Sequence, residues 1–284
     1  MSTPAASMPT RPLGRTGHQV THFALGGEGV LRTHGQMAAA VQVIHRALDQ
    51  GVNYCDTAPA YASSQDYYGE ALGERRKQIF LASKTNERSR DGSLRLLEDS
   101  LRRLRTDHLD LWQLHDLRTE HDLNRIFGPA GALEAMLHAK EKGLVKNLGL
   151  TGHHDPAILL EAMRRFSFDN VLVALNVADI HRLSFSQSVL VEAARQGMGV
   201  VGMKVAAQGA LIGPGRLTMD QALGYVLSLP GVSTCVIGCQ TPAEVDDNAR
   251  IARAFQPMPA DEMRSLESRT QKHADSFAYF KKPA

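Results

Sequence analysis

Three cysteines in 284 residues are too few for a disulfide framework, and Cys55, Cys235 and Cys239 contain no C-x-x-C pair. That scarcity sets a reducing, cytoplasmic location as the expectation. Charge of one sign is also missing. Lys+Arg 32 against Asp+Glu 30 leaves a net charge of +2, so the totals carry no footprint for nucleic acid. Strictly apolar runs stop at about five residues, as in Val171–Leu175, where a bilayer span needs ~20. The amino terminus has no apolar central stretch of the kind a secretory signal requires. No G-x-G-x-x-G follows the first apolar run, which disfavours a doubly wound dinucleotide fold.

What is present is a steady alternation. Hydrophobic residues make up 43% and charged residues 22%, enough for a sizeable core. Short apolar runs recur at Phe23–Leu25, Val52–Cys55, Ile79–Ala82, Leu109–Leu114, Val145–Leu150, Val171–Leu175, Gly199–Met203 and Ser233–Ile237. Runs without polar alternation suit parallel strands covered on both faces. Helical spacing lies between them: Met37, Val41, Ile44 and Leu48 share one face, as do Leu94, Leu97, Leu101 and Leu104. Further helices are expected after Gly131, Asp155, Ser186, Thr218 and Thr241. Asp155-Pro156 reads as an N-cap with proline at the first helical position. Thr241 and Glu244 read as a capping box, while Gly143 and Gly197 mark helix ends.

Eight strand–helix units in about 250 residues specify an α/β fold, a single-domain (β/α)8 TIM barrel. The expected division is a disordered leader over 1–10, the barrel over 11–256 and a C-terminal tail over 257–284. Within this, a hairpin spans Arg11–His22 and turns at Gly14–Gly17.

In such a barrel the chemistry gathers at the carboxyl ends of the strands. Asp56 follows the second run, with Tyr61 five residues on; Lys84 follows the third and His115 the fourth. Neighbouring strands lie about 4.8 Å apart, so these four side chains are expected at one mouth. A buried lysine needs a partner, and Asp56 is the candidate. Lys84 is expected to lower the pKa of Tyr61 and ease proton donation, while His115 donates to a carbonyl oxygen. None of these groups supplies two electrons, so a hydride donor must bind.

The stretch Gly51-Val52-Asn53-Tyr54-Cys55-Asp56-Thr57-Ala58-x-x-Tyr61, followed by Lys84 and His115, resembles the aldo-keto reductase superfamily. Arg11–Gly17, Gly26-Gly27, Val236-Ile237-Gly238 and Asp247-Asn248 extend the likeness over residues 10–255. The resemblance implies reduction of an aldehyde or ketone to an alcohol, with Tyr61 as general acid, Lys84 tuning it, Asp56 pairing with Lys84 and His115 orienting the carbonyl. It implies a nicotinamide cofactor across the mouth, NADPH with NADH as the alternative. The positions corresponding to cofactor contacts are Gly26, Gly27, Thr151, Gly152, Asn176, Met203, Lys204, Gly238, Cys239, Gln240, Glu244 and Asn248.

Several positions depart from the usual pattern. Thr151-Gly152 stands where many members have Ser-Asn, Asn176 where Gln is usual, and Met203 where a tyrosine stacks on the nicotinamide. This combination resembles a branch some of whose members carry an iron–sulfur segment; without a cysteine-rich tail, no cluster is expected. No basic residue stands among Gly238, Cys239, Gln240 and Glu244, where NADPH-preferring members hold the 2′-phosphate.

His153-His154-Asp155 suggests a metal site, but adjacent histidines on an extended strand point to opposite sides and Asp155 serves as a cap. No metal is therefore expected. Cys239 reads as a small buried residue, and Trp112 as pointing outward against a helix. The loop Leu117–Pro129 and the tail are expected to wall the substrate site, with Phe127, Phe277, Tyr279 and Phe280 as an apolar lid or, equally, a tail packed on the surface. Competing readings make Lys84 a Schiff-base nucleophile of a barrel aldolase, or the protein a non-catalytic cofactor-binding redox sensor. The expected partner is a small carbonyl compound, not nucleic acid or membrane; the sequence assigns no oligomeric state.

Overall fold

In the computed structural model, which describes residues 7–281, two short strands come first. Strand β1 (Thr10–Pro12) pairs antiparallel with β2 (Gln19–Thr21), setting Thr10 opposite Thr21. The expected hairpin is present, and Gly17 at its turn takes a left-handed backbone, φ 78°, which glycine adopts without steric cost. Of the leader expected over 1–10, residues 1–6 lie outside the described residues. The rest is corrected: Met8 is buried and Thr10 already belongs to β1.

Eight parallel strands then close into a barrel in the order β10-β3-β4-β5-β6-β7-β8-β9. They are β3 (Phe23–Gly29), β4 (Tyr54–Asp56), β5 (Phe80–Thr85), β6 (Leu109–Leu114), β7 (Val145–Gly152), β8 (Asn170–Ala174), β9 (Gly199–Met203) and β10 (Val232–Cys239). Side chains alternate across each strand, and this sorts the apolar residues into two layers. Ala24, Tyr54, Phe80, Ala82, Leu111, Leu172 and Val201 fill the interior, and Leu13 and Val20 of the hairpin segment pack beneath them as a floor. Leu25, Cys55, Leu81, Trp112 and Val173 face outward into the layer under the helices. Trp112 points as expected and is fully buried.

The first helices turn differently from the expected faces. In α1 (Met37–Asp49) the buried residues are Ala40, Val43, Ile44 and Ala47, while Met37 is exposed. Small side chains allow the helix axis to approach the strands, so the alanines take the inner face and the longer Val41 and Leu48 flank it. The same correction applies between α2 (Ser64–Leu72) and α4: helix α3 (Arg90–Leu104) buries Ser93, Leu97, Ser100 and Leu104, leaving Leu94 and Leu101 at the edge.

Helix α4 (Glu120–Phe127) occupies most of the segment expected to be a loop. The Thr119 hydroxyl accepts from the backbone N–H of Asp122, and the acidic first turn suits the helix N-terminus. Next come α5 (Ala132–Glu141), α6 (Pro156–Arg165), α7 (Val189–Gln196), α8 (Met219–Ser228) and α9 (Pro242–Ala254). Asp155 caps α6 by accepting from Ala157 N–H at 2.8 Å. Helix α7 begins at Val189, with Ser188 in the N-cap place expected for Ser186, two residues further on.

The tail forms α10 (Ala260–Thr270) and a short α11 (Ala274–Phe277). Phe277 and Phe280 are buried, and the Lys281 ammonium is buried against the Asp179 carboxylate and the carbonyls of Arg182 (2.9 Å) and Leu183 (3.1 Å). The tail is thereby pinned to the loop after β8, and the surface-packed alternative to the lid is the observed one. Tyr279 is exposed, and Phe127 lies under the Arg165 guanidinium. No helix among the described residues is long and apolar enough to cross a membrane.

Candidate active site

Alternation brings the site together. Tyr54 and Asp56 of β4 point inward on either side of outward Cys55. Phe80, Ala82 and Lys84 do so along β5, and Leu111, Gln113 and then His115 along β6. The registers Asp56↔Ala82 and Lys84↔Gln113 place these groups at one height.

The Lys84 ammonium, 1% exposed, is bonded to Asp56 Oδ1 and donates to the Thr57 carbonyl at 2.9 Å. Gln113 Nε2 donates to the other Asp56 oxygen at 3.2 Å. Desolvation works against the charge on Lys84, yet Asp56 and Tyr61 outweigh it and hold its pKa above the ordinary value. Burial pushes the Asp56 carboxyl up, opposed by Lys84. An ammonium held in its charged form is a poor Schiff-base nucleophile, which counts against the aldolase reading.

Tyr61 lies over this pair, its ring centre 4.7 Å from Lys84 Nζ and its edge meeting His115 at 5.6 Å between centroids. The expected lowering of the Tyr61 pKa is corrected: burial raises it, and Lys84 offsets only part of that. The phenol therefore stays protonated and available as a donor. His115 is lowered to about 3 by burial and by Lys84. It is a neutral imidazole at any ordinary pH, with an N–H to offer a carbonyl oxygen.

Two cavities meet here. One, of about 380 Å³, runs from Tyr61 and Asp56 along Gly26, Gly27 and Gly29 to Gly238 and Gln240, with Met203, Lys204 and Gly209 also lining it. The other, of about 400 Å³, is bounded by Tyr61, Lys84, His115, Thr151, His153, Arg88 and a rim where Arg32 pairs with Glu28 and Arg118 with Asp116. A Cβ on Gly27 would lie 2.7 Å from Ser64 Oγ and 2.9 Å from Tyr61 Cδ2, and one on Gly238 would lie 2.6 Å from Glu28 Cβ. The first cavity thus has a wall of bare backbone beside the phenol. That channel, with the Lys204 ammonium alongside it, fits an extended dinucleotide.

Seven of the twelve residues expected at the cofactor, namely Gly26, Gly27, Thr151, Met203, Lys204, Gly238 and Gln240, line these cavities. The other five do not. Gly152 faces outward, where a Cβ would strike Leu159. Asn176 turns back to bond Ala178 N–H and the Lys204 carbonyl. Cys239 is buried against Asn248, which donates to its sulfur, and burial pushes the thiol up to about 12. Glu244 is exposed and accepts from Gln240 N–H at 2.7 Å, one residue before the N-cap that a capping box would use.

Sequence reasoning missed Gln113, Glu28, Arg32, Arg88 and Asp116. Gln113 was accessible, since it stands two residues before His115 and shares its face. Arg32 lies 5.1 Å over the Tyr61 ring. Arg88 donates to the carbonyls of His115 and Asp116, both at 3.0 Å, and fixes the bend after β6. The expectation for the paired histidines is also corrected. Strand β7 ends at Gly152, so alternation does not govern the turn that follows. The rings of His153 and His154 lie 4.8 Å apart and both reach Asp116, at 2.8 and 3.3 Å.

A closed barrel with an Asp–Lys–Tyr–His cluster at its mouth, beside a glycine-walled channel, defines an oxidoreductase of the aldo-keto reductase type. The family model described as "Aldo/keto reductase family" matches residues 23–221, and the chain belongs to that family. It is 22% identical to the "Uncharacterized oxidoreductase YqkF" of Bacillus subtilis (strain 168), covering 93% of this chain and 97% of that one. It is 27% identical to the pyridoxal 4-dehydrogenase of Microbacterium luteolum over 72% of each chain. Among solved structures it matches the aldo-keto reductase AKR11C1 from Bacillus halodurans with a TM-score of 0.78 at 22% identity, covering 92% of this chain and 96% of that one. The glycerol dehydrogenase AKR11B4 from Gluconobacter oxydans matches with a TM-score of 0.75 at 20% identity, over 94% and 96%. These structural likenesses carry the barrel fold.

Proposed function

We propose that this chain reduces an aldehyde or ketone to an alcohol with Tyr61 as the proton donor. The observation that carries the reading is the place of the Tyr61 ring, its centre 4.7 Å from the Lys84 ammonium and 5.6 Å from the centre of the His115 ring, with burial favouring the protonated phenol. A bound nicotinamide supplies the hydride. The residues do the rest. His115 donates to the carbonyl oxygen and fixes its direction. Tyr61 gives that oxygen a proton as it gains negative charge. Lys84, held by Asp56 and Gln113, stabilises the phenolate left behind and so makes proton loss easier at the moment of transfer.

The glycine-walled cavity would hold the cofactor, with Met203 in the place of the stacking aromatic and Lys204 toward its phosphates. NADPH follows from the family pattern. NADH is the alternative, supported by the absence of Lys and Arg among residues 238–244. Titration of the protein with each cofactor separately, read by fluorescence quenching, decides between them. The second cavity is lined by paired charges, Arg32 with Glu28 and Arg118 with Asp116, which suits carbonyl compounds that carry polar groups.

The test is Tyr61→Phe assayed on an aldehyde panel. Turnover is expected to fall by roughly 10²–10⁴-fold, with cofactor affinity changed less than about twofold. Unchanged turnover removes the assignment. A cofactor-loaded wild-type protein inert on every carbonyl tried leaves the redox-sensor reading in its place.

A further inference from the structure

At the rim, Asp116 Oδ1 lies 2.8 Å from His153 Nδ1 and 3.3 Å from His154 Nε2, and one ligand atom from each of the three residues falls within 4.8 Å of the others. Two imidazole nitrogens and a carboxylate oxygen gathered this closely can serve a single ion as well as one another. We propose that they bind one divalent transition-metal ion of the zinc class.

The donor set is two imidazole nitrogens and one carboxylate oxygen, a combination suited to zinc and its neighbours. Ligands at about 2.0–2.1 Å around a tetrahedral ion stand roughly 3.3 Å apart. The His154–Asp116 separation is already 3.3 Å, and His153–Asp116, at 2.8 Å, opens by about half an ångström to accept the ion. The ligands are also held from behind, as metal ligands need to be. Asp116 Oδ2 accepts from Arg118 Nε at 2.7 Å, and its backbone N–H donates to Thr151 Oγ1 at 2.8 Å. The His153 ring lies 6.3 Å from the ring of Phe280 in the tail, between centroids. Asp116 takes a left-handed backbone, φ 55°, a strained state for a residue with a Cβ, and the contacts around it keep it there.

Three ligands leave a fourth position open. Asp116 and His153 line the second cavity together with Tyr61 and His115, so that position faces the same space, for water or an oxygen of a bound molecule. The ion ties the loop after β6 to the turn after β7 and, through Phe280, to the tail. Arg118 on the same carboxylate weakens the electrostatic pull, which sets the affinity in the micromolar range.

The test uses the full chain stripped with a chelator and titrated with zinc chloride against a chromophoric competitor. One site per chain with Kd of about 0.1–10 μM is expected. A Zn²⁺ excess of a hundredfold over Kd is expected to raise Tm by roughly 3–6 °C. His154→Gln and Asp116→Asn lose at least about a hundredfold in affinity, whereas replacing the exposed His121 with Gln leaves it unchanged. Cobalt chloride added to the wild-type protein gives the visible absorption of a low-coordinate nitrogen–oxygen site, a readout that needs no variant to fold. No site tighter than about 100 μM, equal affinity in a correctly folded His154→Gln, or no cobalt absorption overturns the proposal.

Discussion

The Lys84 ammonium sits 4.7 Å from the centre of the Tyr61 ring while bonded to Asp56 on its other side. The phenol and the carboxylate therefore share one buried cation. Replacing it as Lys84→Met takes away the cation that opposes the upward push of burial on Asp56 and removes the support for phenolate. The kcat for carbonyl reduction is expected to drop by about 10²–10⁴-fold, with stability lowered by about 3–5 kcal/mol. Steady-state kinetics and urea melts of the variant check both.

His115 gives a pH signature. Its folded pKa is lowered to about 3 from an ordinary 6.5. Between those values the unfolded chain binds a proton that the folded chain refuses, so stability is lost as pH falls through this window, by about 1.4 kcal/mol per unit. Urea melts from pH 7 to pH 4 are expected to show this slope in the wild type and a shallower one in His115→Gln. Titration of His115 contributes no limb to the rate profile between pH 5 and 8.

Gly27 tests the bare-backbone wall. In Gly27→Ala the new methyl meets Ser64 Oγ and the Tyr61 ring closer than van der Waals contact allows. The ring must shift, at a cost of about 1–3 kcal/mol. The expected result is at least roughly tenfold lower kcat, as for a misplaced catalytic group, together with weaker cofactor binding.

The three strand-end residues of the site were legible in the sequence because each ends a buried strand, where a period of two fixes direction. Tyr61 sits in a loop with no such period, and only the pattern from Gly51 onward marked it. What failed lay beyond the strands. The alternation used to separate His153 from His154 stops at Gly152. The polar composition of Glu120–Phe127 concealed a capped helix. For Asn176, Cys239 and Asn248, expected at the cofactor by position, nothing in the sequence signals the bonds their polar atoms make to Ala178, Lys204 and each other.

The Lys281–Asp179 pair offers a further check. Lys281→Met takes the cation from a buried carboxylate that keeps bonds from Ser184 Oγ and from the N–H groups of Phe185 and Ser186, and is expected to cost about 3–5 kcal/mol. Denaturant melts of the variant and the wild type measure the difference. A variant as stable as the wild type means the tail contributes nothing through this contact.

Leu13 and Val20 seal the barrel from below, and packed side chains fill it above them. No passage runs through the molecule. Both clefts therefore lie on one face and share the Tyr61 ring as a common wall. A change of shape in one is felt in the other, and the apparent affinity of either occupant is expected to depend on whether its neighbour is present.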